Sequence, residues 1–391
     1  MGRNESLIRT THTGSLPRSE RLRNAMFEHQ QGTRPASELE GLITDEVAVI
    51  VARQAEIGLS AVNDGEVTKP GFANYIRERL TGMGGQSEPW MFHDLTEDPE
   101  LTDSLVSLEG FQHVHMPACT GELQYVGHDA VRRDIDLLKD AAQRNGVDEV
   151  FMSSVSPGTL AYHASNSYYS TYEEYVWAAA EAMREEYEAI AGAGVLVQLD
   201  SPDLPSSHPA HSIWWGAQVV DKLGGHGKLV ELNIDALNHA TRNIPPEQMR
   251  MHLCWGNYEG PHDRDMPLAD IIAPVLKRAR PRAVLFEAAN PRHEHEWEVF
   301  ESVEVPSDKL IVPGVIDTLT NFVEHPRLVA QRIERFARLV GPDRVMAGTD
   351  CGFDTFVGTS RVAPGVTWKK LKSLVEGAKL ASERLGTVRR R

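Results

Sequence analysis

His252 and Cys254 stand two residues apart in MRMHLCWGN, so on an extended strand both side chains point to one face. Glu287 closes a second apolar run, AVLFEAANP, and Cys351 follows a third in MAGTDCGF. Two thiolates, an imidazole and a carboxylate arriving from three strand ends form a ligand set suited to tetrahedral zinc. The set is dispersed along the chain, whereas structural zinc sites favour closely spaced cysteine pairs, so a catalytic ion is the expectation. The cysteines are only Cys119, Cys254 and Cys351, an odd and sparse number that argues against a disulfide framework. Other histidines carry weaker signals. His12 follows the first apolar run and is expected to line the site; the HEHE segment from His293 to Glu296 reads as a solvated turn, and His113 and His115, which share one face of a candidate hairpin, are not expected to form a second metal site.

Residues from distant parts of the sequence meet only if regular elements bring them together. Short apolar runs suited to buried parallel strands occur at Leu7 to Thr11, Ser60 to Asn63, Glu149 to Ser153, Val195 to Asp200, Met249 to Cys254, Ala283 to Glu287, Leu310 to Val315 and Val345 to Gly348. Between them, amphipathic stretches at Glu38 to Ile57, Tyr172 to Ala191, Leu268 to Arg280, Pro326 to Val340 and Trp368 to Leu385 have helical periodicity. This alternation predicts parallel βαβ units, and the strand count predicts an α/β fold closed as a single (β/α)8 TIM barrel over residues 1–391. Barrel enzymes build their sites at the carboxyl ends of the strands, where all four candidate ligands fall.

Residues 81–128 break the alternation and read as an insertion after the second strand, with FQHVHMPACTGELQYV patterned for a β-hairpin. Gly192 and Gly194 precede a strand rather than follow one, which rejects a dinucleotide loop. A formal charge of −16 argues against nucleic acid as a partner, and the closing Arg389 to Arg391 are too few to change that. The chain shows no signal-peptide core and no run long enough to span a membrane, so a cytoplasmic protein is expected.

TTHTGSLPR, NDGEVTKPGF, VQLDSPDL, HLC, the strand-end Glu287 and GTDCGF occur in an order that resembles the catalytic barrel of cobalamin-independent methionine synthases, from Thr10 to about Leu385. The resemblance is to the short, single-barrel relatives, a superfamily that includes epoxyalkane:coenzyme M transferase. It implies a zinc held by His252, Cys254, Glu287 and Cys351, and a zinc-dependent alkyltransferase that activates homocysteine as a thiolate. It further implies that Gly14 and Ser15 contact the amino acid and that Glu66 and Asp200 are the site acids; His12 stands beside them. Zinc coordination deprotonates a thiol that is otherwise only a few per cent ionised, and three anionic protein ligands plus a thiolate sum to about −2 around the ion. Two carboxylates in one cleft call for a cation between them, which favours an amino-acid thiol over the sulfonate of coenzyme M. Lys69, Arg18 and Arg77 are the candidates for a sulfonate clamp.

The resemblance fails at the donor side. Where the family carries a proton-donating histidine after the seventh strand, this chain has VIDTLT, with Thr318 and Leu319 at the corresponding place and Asp317 and His325 nearby. The folate-stacking tryptophan is absent from FMSSVSPGTLAYH, and Ser201 replaces a glutamate. An epoxide or a methylcorrinoid, with a corrinoid protein as candidate partner, suits this mouth better than methyl-tetrahydrofolate. A non-catalytic zinc- and thiol-binding barrel and a metal-free decarboxylase are the readings of other classes.

Overall fold

The computed structural model describes residues 8–87, 91–107, 110 and 113–389. Five parallel strands, Phe151–Val155, Leu196–Asp200, Met249–Leu253, Ala283–Phe286 and Leu310–Pro313, lie side by side in chain order. Parallel contacts continue past both edges of this sheet. Ile311 and Gly314 bridge Val345 and Gly348, and Met346–Ala347 pairs with Arg9–Thr10. The Ser60 and Ala61 amides donate to the Thr10 carbonyl, and Val62 bridges Val150 at the far edge. The succession of parallel neighbours therefore returns to the sheet from which it started.

Side-chain alternation separates two layers. Ala61, Phe151, Leu285, Val312 and Met346 pack together as a small inner cluster, with Leu196, Ala283 and Leu310 against it. Their sequence neighbours Val62, Val197, Val284, Phe286 and Ile311 belong to the main core, which the helices cover. Because the strand period is two, Asp200 and His252 face the same way as Leu196 in the register that pairs them across adjacent strands.

Every expected helix forms, with ends shifted by a few residues: Ala36–Ile57, Tyr172–Gly192, Leu268–Arg278, Pro326–Val340 and Pro364–Arg389, joined by His128–Arg144 and His226–Ala240. Local chemistry sets their limits. The Thr171 side chain caps the amide of Glu174, and Gly58 stops its helix in the left-handed region at φ 92°. Among the described residues no helix is long and apolar enough to cross a membrane.

The segment 81–128 is arranged differently from a local hairpin. Ala118–Cys119 pairs antiparallel with Met83–Gly84, and Leu80 bridges Tyr125, so the two halves are joined by a long connection bearing the helices His93–Thr96 and Pro99–Val106. A second short pair, Met91–Phe92 with Ser212–Ile213, ties the connection to the loop beyond Asp200. Phe111 and Gln112 of the expected hairpin lie outside the described residues. The alternation in 113–126 reflects burial on the body of the protein rather than pairing with itself: Met116, Ala118, Cys119, Leu123 and Tyr125 are all buried.

Candidate functional site

Each of His252, Cys254 and Cys351 places one ligand atom within 4.8 Å of the other two, in a fully buried group. The two sulfurs are 3.6 Å apart. Two sulfurs bound to one zinc at about 2.3 Å and a tetrahedral angle lie about 3.8 Å apart, so the spacing fits that ion. Neither ring nitrogen of His252 has a hydrogen-bond partner, although the side chain is buried. An imidazole left without partners in this way is costly unless a ligand takes it up. Burial holds His252 at a pKa of about 3, leaving the neutral form that binds metals. The contact with Cys351, reinforced by burial, pushes the Cys254 thiol well up.

Glu287 stands beside Cys254 but outside that three-atom group. Its Oε1 accepts from the Trp255 amide at 2.9 Å and its Oε2 from Asn290 Nδ2 at 2.7 Å. Burial, with Cys254 nearby, raises its pKa well above the carboxylate range. Asp350 fastens the same loop: its carboxylate accepts the amides of Ala288, Ala289 and Asn290 at 2.8–2.9 Å. The Asp of DCG thus holds the Glu287 turn, while the Cys faces the cluster.

Glu66 and Asp200 are also buried. Glu66 Oε1 accepts from Ser153 Oγ at 2.6 Å, and Oε2 has no partner. Asp200 Oδ1 accepts from Gln198 Nε2 at 2.8 Å. Burial and then the nearby Glu66 push Asp200 up to about 8, and burial raises Glu66 against the pull of Lys69. A Cβ at Gly14 would sit 2.1 Å from Glu66 Oε1, so any side chain there would displace the carboxylate. Ser15 donates no bond to the acids; its Oγ accepts the Asp354 amide and its carbonyl the Phe353 amide.

A cavity of about 390 Å³ joins these parts, lined at its polar end by Ser15, Glu66, Asp200, His252, Cys254 and Cys351. Among the described residues that line it there is no lysine or arginine. The clamp candidates are engaged elsewhere. Arg18 pairs with Asp354 at 2.9 Å, Lys69 Nζ donates to the Ser153 carbonyl, and Arg77 donates to the Gly85 carbonyl. His12 also lies outside the lining. Its Nε2 is 2.8 Å from Gln54 Oε1 and its ring meets Phe151 edge-on, so it is a core residue. Leu319 lines an adjoining open depression with Glu259 and Phe322, and Thr318 donates to Asn257 Oδ1. Asp317 is taken up by the Leu319 and Thr320 amides, and His325 caps the helix at Pro326.

No protein-family model matches the chain. A methionine synthase of Saccharolobus solfataricus is 22% identical over 382 residues, covering 97% of this chain and 96% of that protein. One from Saccharolobus islandicus strain Y.N.15.51 is 23% identical over the same length and coverage. Among solved structures, a B12-independent methionine synthase from Shewanella sp. W3-18-1, in complex with selenomethionine, superposes with a TM-score of 0.70 at 17% identity, over 97% of this chain and 99% of that one. The chain is of the cobalamin-independent methionine synthase-like family.

Within this methionine synthase-like chain, one part of the site was invisible as a motif. Asp265 sits among three histidines: its Oδ2 is 2.8 Å from His262 Nδ1 and 3.0 Å from His293 Nε2, and its Oδ1 is 2.8 Å from His211 Nδ1. His293 Nδ1 is 2.7 Å from Glu296 Oε2, and His262 Nε2 is 2.9 Å from the Tyr258 carbonyl. Acceptors at both ring nitrogens favour the protonated form of His262 and His293, and the pKa of His262 is raised although burial opposes it. Burial opposes the charge on His293, but Asp265 and Glu296 outweigh it and lift the pKa to about 10. HEHE is therefore no solvated turn; His293 and Glu296 are buried, and His293 stacks on Trp255 at 4.2 Å. The network reaches the insertion through Asp94, whose Oδ2 accepts from Tyr258 Oη and the His262 amide, both at 2.7 Å. The only local signals were the three-residue spacings of His262 to Asp265 and His293 to Glu296.

Proposed function

We propose that the protein is a zinc-dependent methyltransferase that methylates the thiol of homocysteine, built as one (β/α)8 barrel over residues 1–391 with 81–128 inserted. The observation that carries this reading is a buried His/Cys/Cys group and a buried carboxylate pair in one cavity whose described lining residues include no lysine or arginine. The family relationship and the names of the relatives support the thiol and the methyl transfer.

His252, Cys254 and Cys351 would hold the zinc, with Glu287 beside Cys254 as the remaining protein ligand. When bound, zinc would supply Lewis acidity that stabilises the substrate sulfur as thiolate at neutral pH. The rest falls to the chain. Glu66 and Asp200 receive the substrate ammonium, whose charge adds to the pull of the nearby Lys69 and returns Asp200 to its ionised form. Ser153 and Gln198 orient the acids, and Gly14 leaves room for Glu66 to approach the backbone. Trp255, Asn290 and Asp350 keep Glu287 and its loop in place. A sulfonate thiol is disfavoured because Arg18, Lys69 and Arg77 are all committed outside the cavity.

The test is a mass-spectrometric assay with zinc-loaded protein, homocysteine and coenzyme M as competing thiols, and a small methylating reagent. Methionine should be the accelerated product. Equal or greater methylation of coenzyme M would refute the reading.

A further inference from the structure

The cavity above the acids and thiols is walled largely by the insertion and by aromatic rings. Met91, Phe92, Leu95, Leu105 and Met116 of the insertion line it together with Phe72, Tyr162, Tyr258 and Phe356. Phe92 stacks on Tyr258 with centroids 4.0 Å apart, and Phe72 meets Phe356 edge-on at 5.3 Å. Among the described residues, Glu66 and Asp200 are the carboxylic acids in the lining, and none of the lining residues is a lysine or arginine. A donor bearing carboxylates would find nothing there to neutralise them. With Glu66 and Asp200 taken up by the substrate ammonium, a cation would find aromatic faces.

Proton supply is equally restricted. Tyr258 Oη donates to Asp94, and Tyr162 Oη is 2.9 Å from Ser212 Oγ. His163 Nδ1–H is held by the Thr159 carbonyl at 3.1 Å, and burial lowers its pKa to about 4, so at neutral pH it is not the imidazolium that a general acid would need. Asp317 and His325 are spent on local caps outside the lining. A leaving group that departs as an amine anion is therefore poorly served.

We infer that the methyl donor is a small onium cation, a sulfonium or quaternary ammonium, seated between the apolar insertion wall and the aromatic residues of the cavity. This rests on the proposed homocysteine methyltransferase activity. The carbon–sulfur bond to homocysteine forms as the bond from the methyl carbon to the onium atom breaks. That electron pair returns to the departing sulfur or nitrogen, which leaves as a neutral thioether or tertiary amine. The thiol proton has already gone to solvent, so thiolate and onium charges cancel and the transfer step moves no proton. A volume of about 390 Å³ is of the size of small-ligand pockets, room for a compact donor rather than a long conjugated tail.

The experiment gives zinc-loaded full-length protein homocysteine with S-methylmethionine, glycine betaine, methyl-tetrahydrofolate as mono- and triglutamate, or iodomethane. In parallel, calorimetry measures binding of unreactive tetramethylammonium to the metal-free protein. An onium donor should turn over at least about tenfold faster than either folate, the general acid contribution the folate lacks being about 10²- to 10⁴-fold. Tetramethylammonium should bind, and Phe92→Leu and Phe356→Leu should each weaken it about three- to tenfold, the range of a cation–π contact. Acceleration with iodomethane while both onium donors stay silent overturns the inference and leaves the homocysteine reading standing. Folate turnover at a rate comparable to the best onium, or no tetramethylammonium binding, also overturns it. Absence of homocysteine binding together with silence from every donor removes both.

Discussion

Cys254 and Cys351, 97 residues apart in sequence, bring their sulfurs to 3.6 Å without a disulfide. In the proposed function this pair holds the metal, so purified protein should carry about one zinc per chain, since one tetrahedral site is proposed. Cys254→Ala and Cys351→Ala should each lose the metal while circular dichroism and denaturation stay cooperative. Stripping zinc should make the two thiols susceptible to mutual oxidation, read as loss of two titratable thiols after mild oxidant. Full activity in metal-free protein would refute the assignment.

The acid pair predicts a separation of metal from substrate binding. Asp200→Asn should weaken homocysteine binding by about 1.5 to 3 kcal/mol, the range for hydrogen bonds to charged groups, with zinc content unchanged. Gly14→Ala should act in the same direction, because its methyl would collide with Glu66 Oε1. Calorimetry with methionine as a thioether surrogate checks both without the complication of thiol ionisation. Unaltered affinity in both variants would show that the ammonium binds elsewhere.

Asp200 also sets a pH dependence. In the ligand-free protein it keeps its proton up to about pH 8, whereas unfolded it would lose it near the ordinary carboxylate value, so its contribution to stability declines as pH rises across that window. Asp200→Asn should therefore stabilise the ligand-free protein relative to the parent at pH 8 and much less at pH 4. Binding of an ammonium needs the ionised acid, so below pH 8 methionine binding should release a proton and tighten with rising pH. Titrations in buffers of different ionisation enthalpy measure this, and no proton release at pH 7 in the parent would contradict the shift.

Asp94 should connect the insertion to the loop that follows Cys254. Its Oδ2 receives both Tyr258 Oη and the His262 amide, so Asp94→Ala leaves two buried donors unmet, at about 1–3 kcal/mol each. Denaturant unfolding should show the loss, and zinc transfer to a chelator should speed up because the 258–265 loop also carries Asp265. Asp265→Asn should speed it further, since His262 and His293 then lose a shared carboxylate. Equal chelation rates in parent and variants would confine the network to a purely local role.

Much of this was legible from the residues alone where a side chain's direction is set by its own strand. Period-two alternation put His252 and Cys254 on one face, and the strand ends placed Glu287 and Cys351 near them. The helices were legible for the same reason, since their amphipathic stripes and caps are local. The insertion, the position of His12 and the roles of Leu319 and His325 were not, because an irregular segment takes its place from whatever surface it covers.

By itself, then, the sequence determined the order of strands and helices and which strand-borne side chains face inward, since both follow from backbone periodicity and burial. Only the tertiary structure decided that His12 turns to Gln54, that Arg18 and Lys69 are spent outside the cavity, and that His211, His262 and His293 converge on Asp265. Those outcomes depend on which distant groups compete for each buried charge, and no local pattern records that competition.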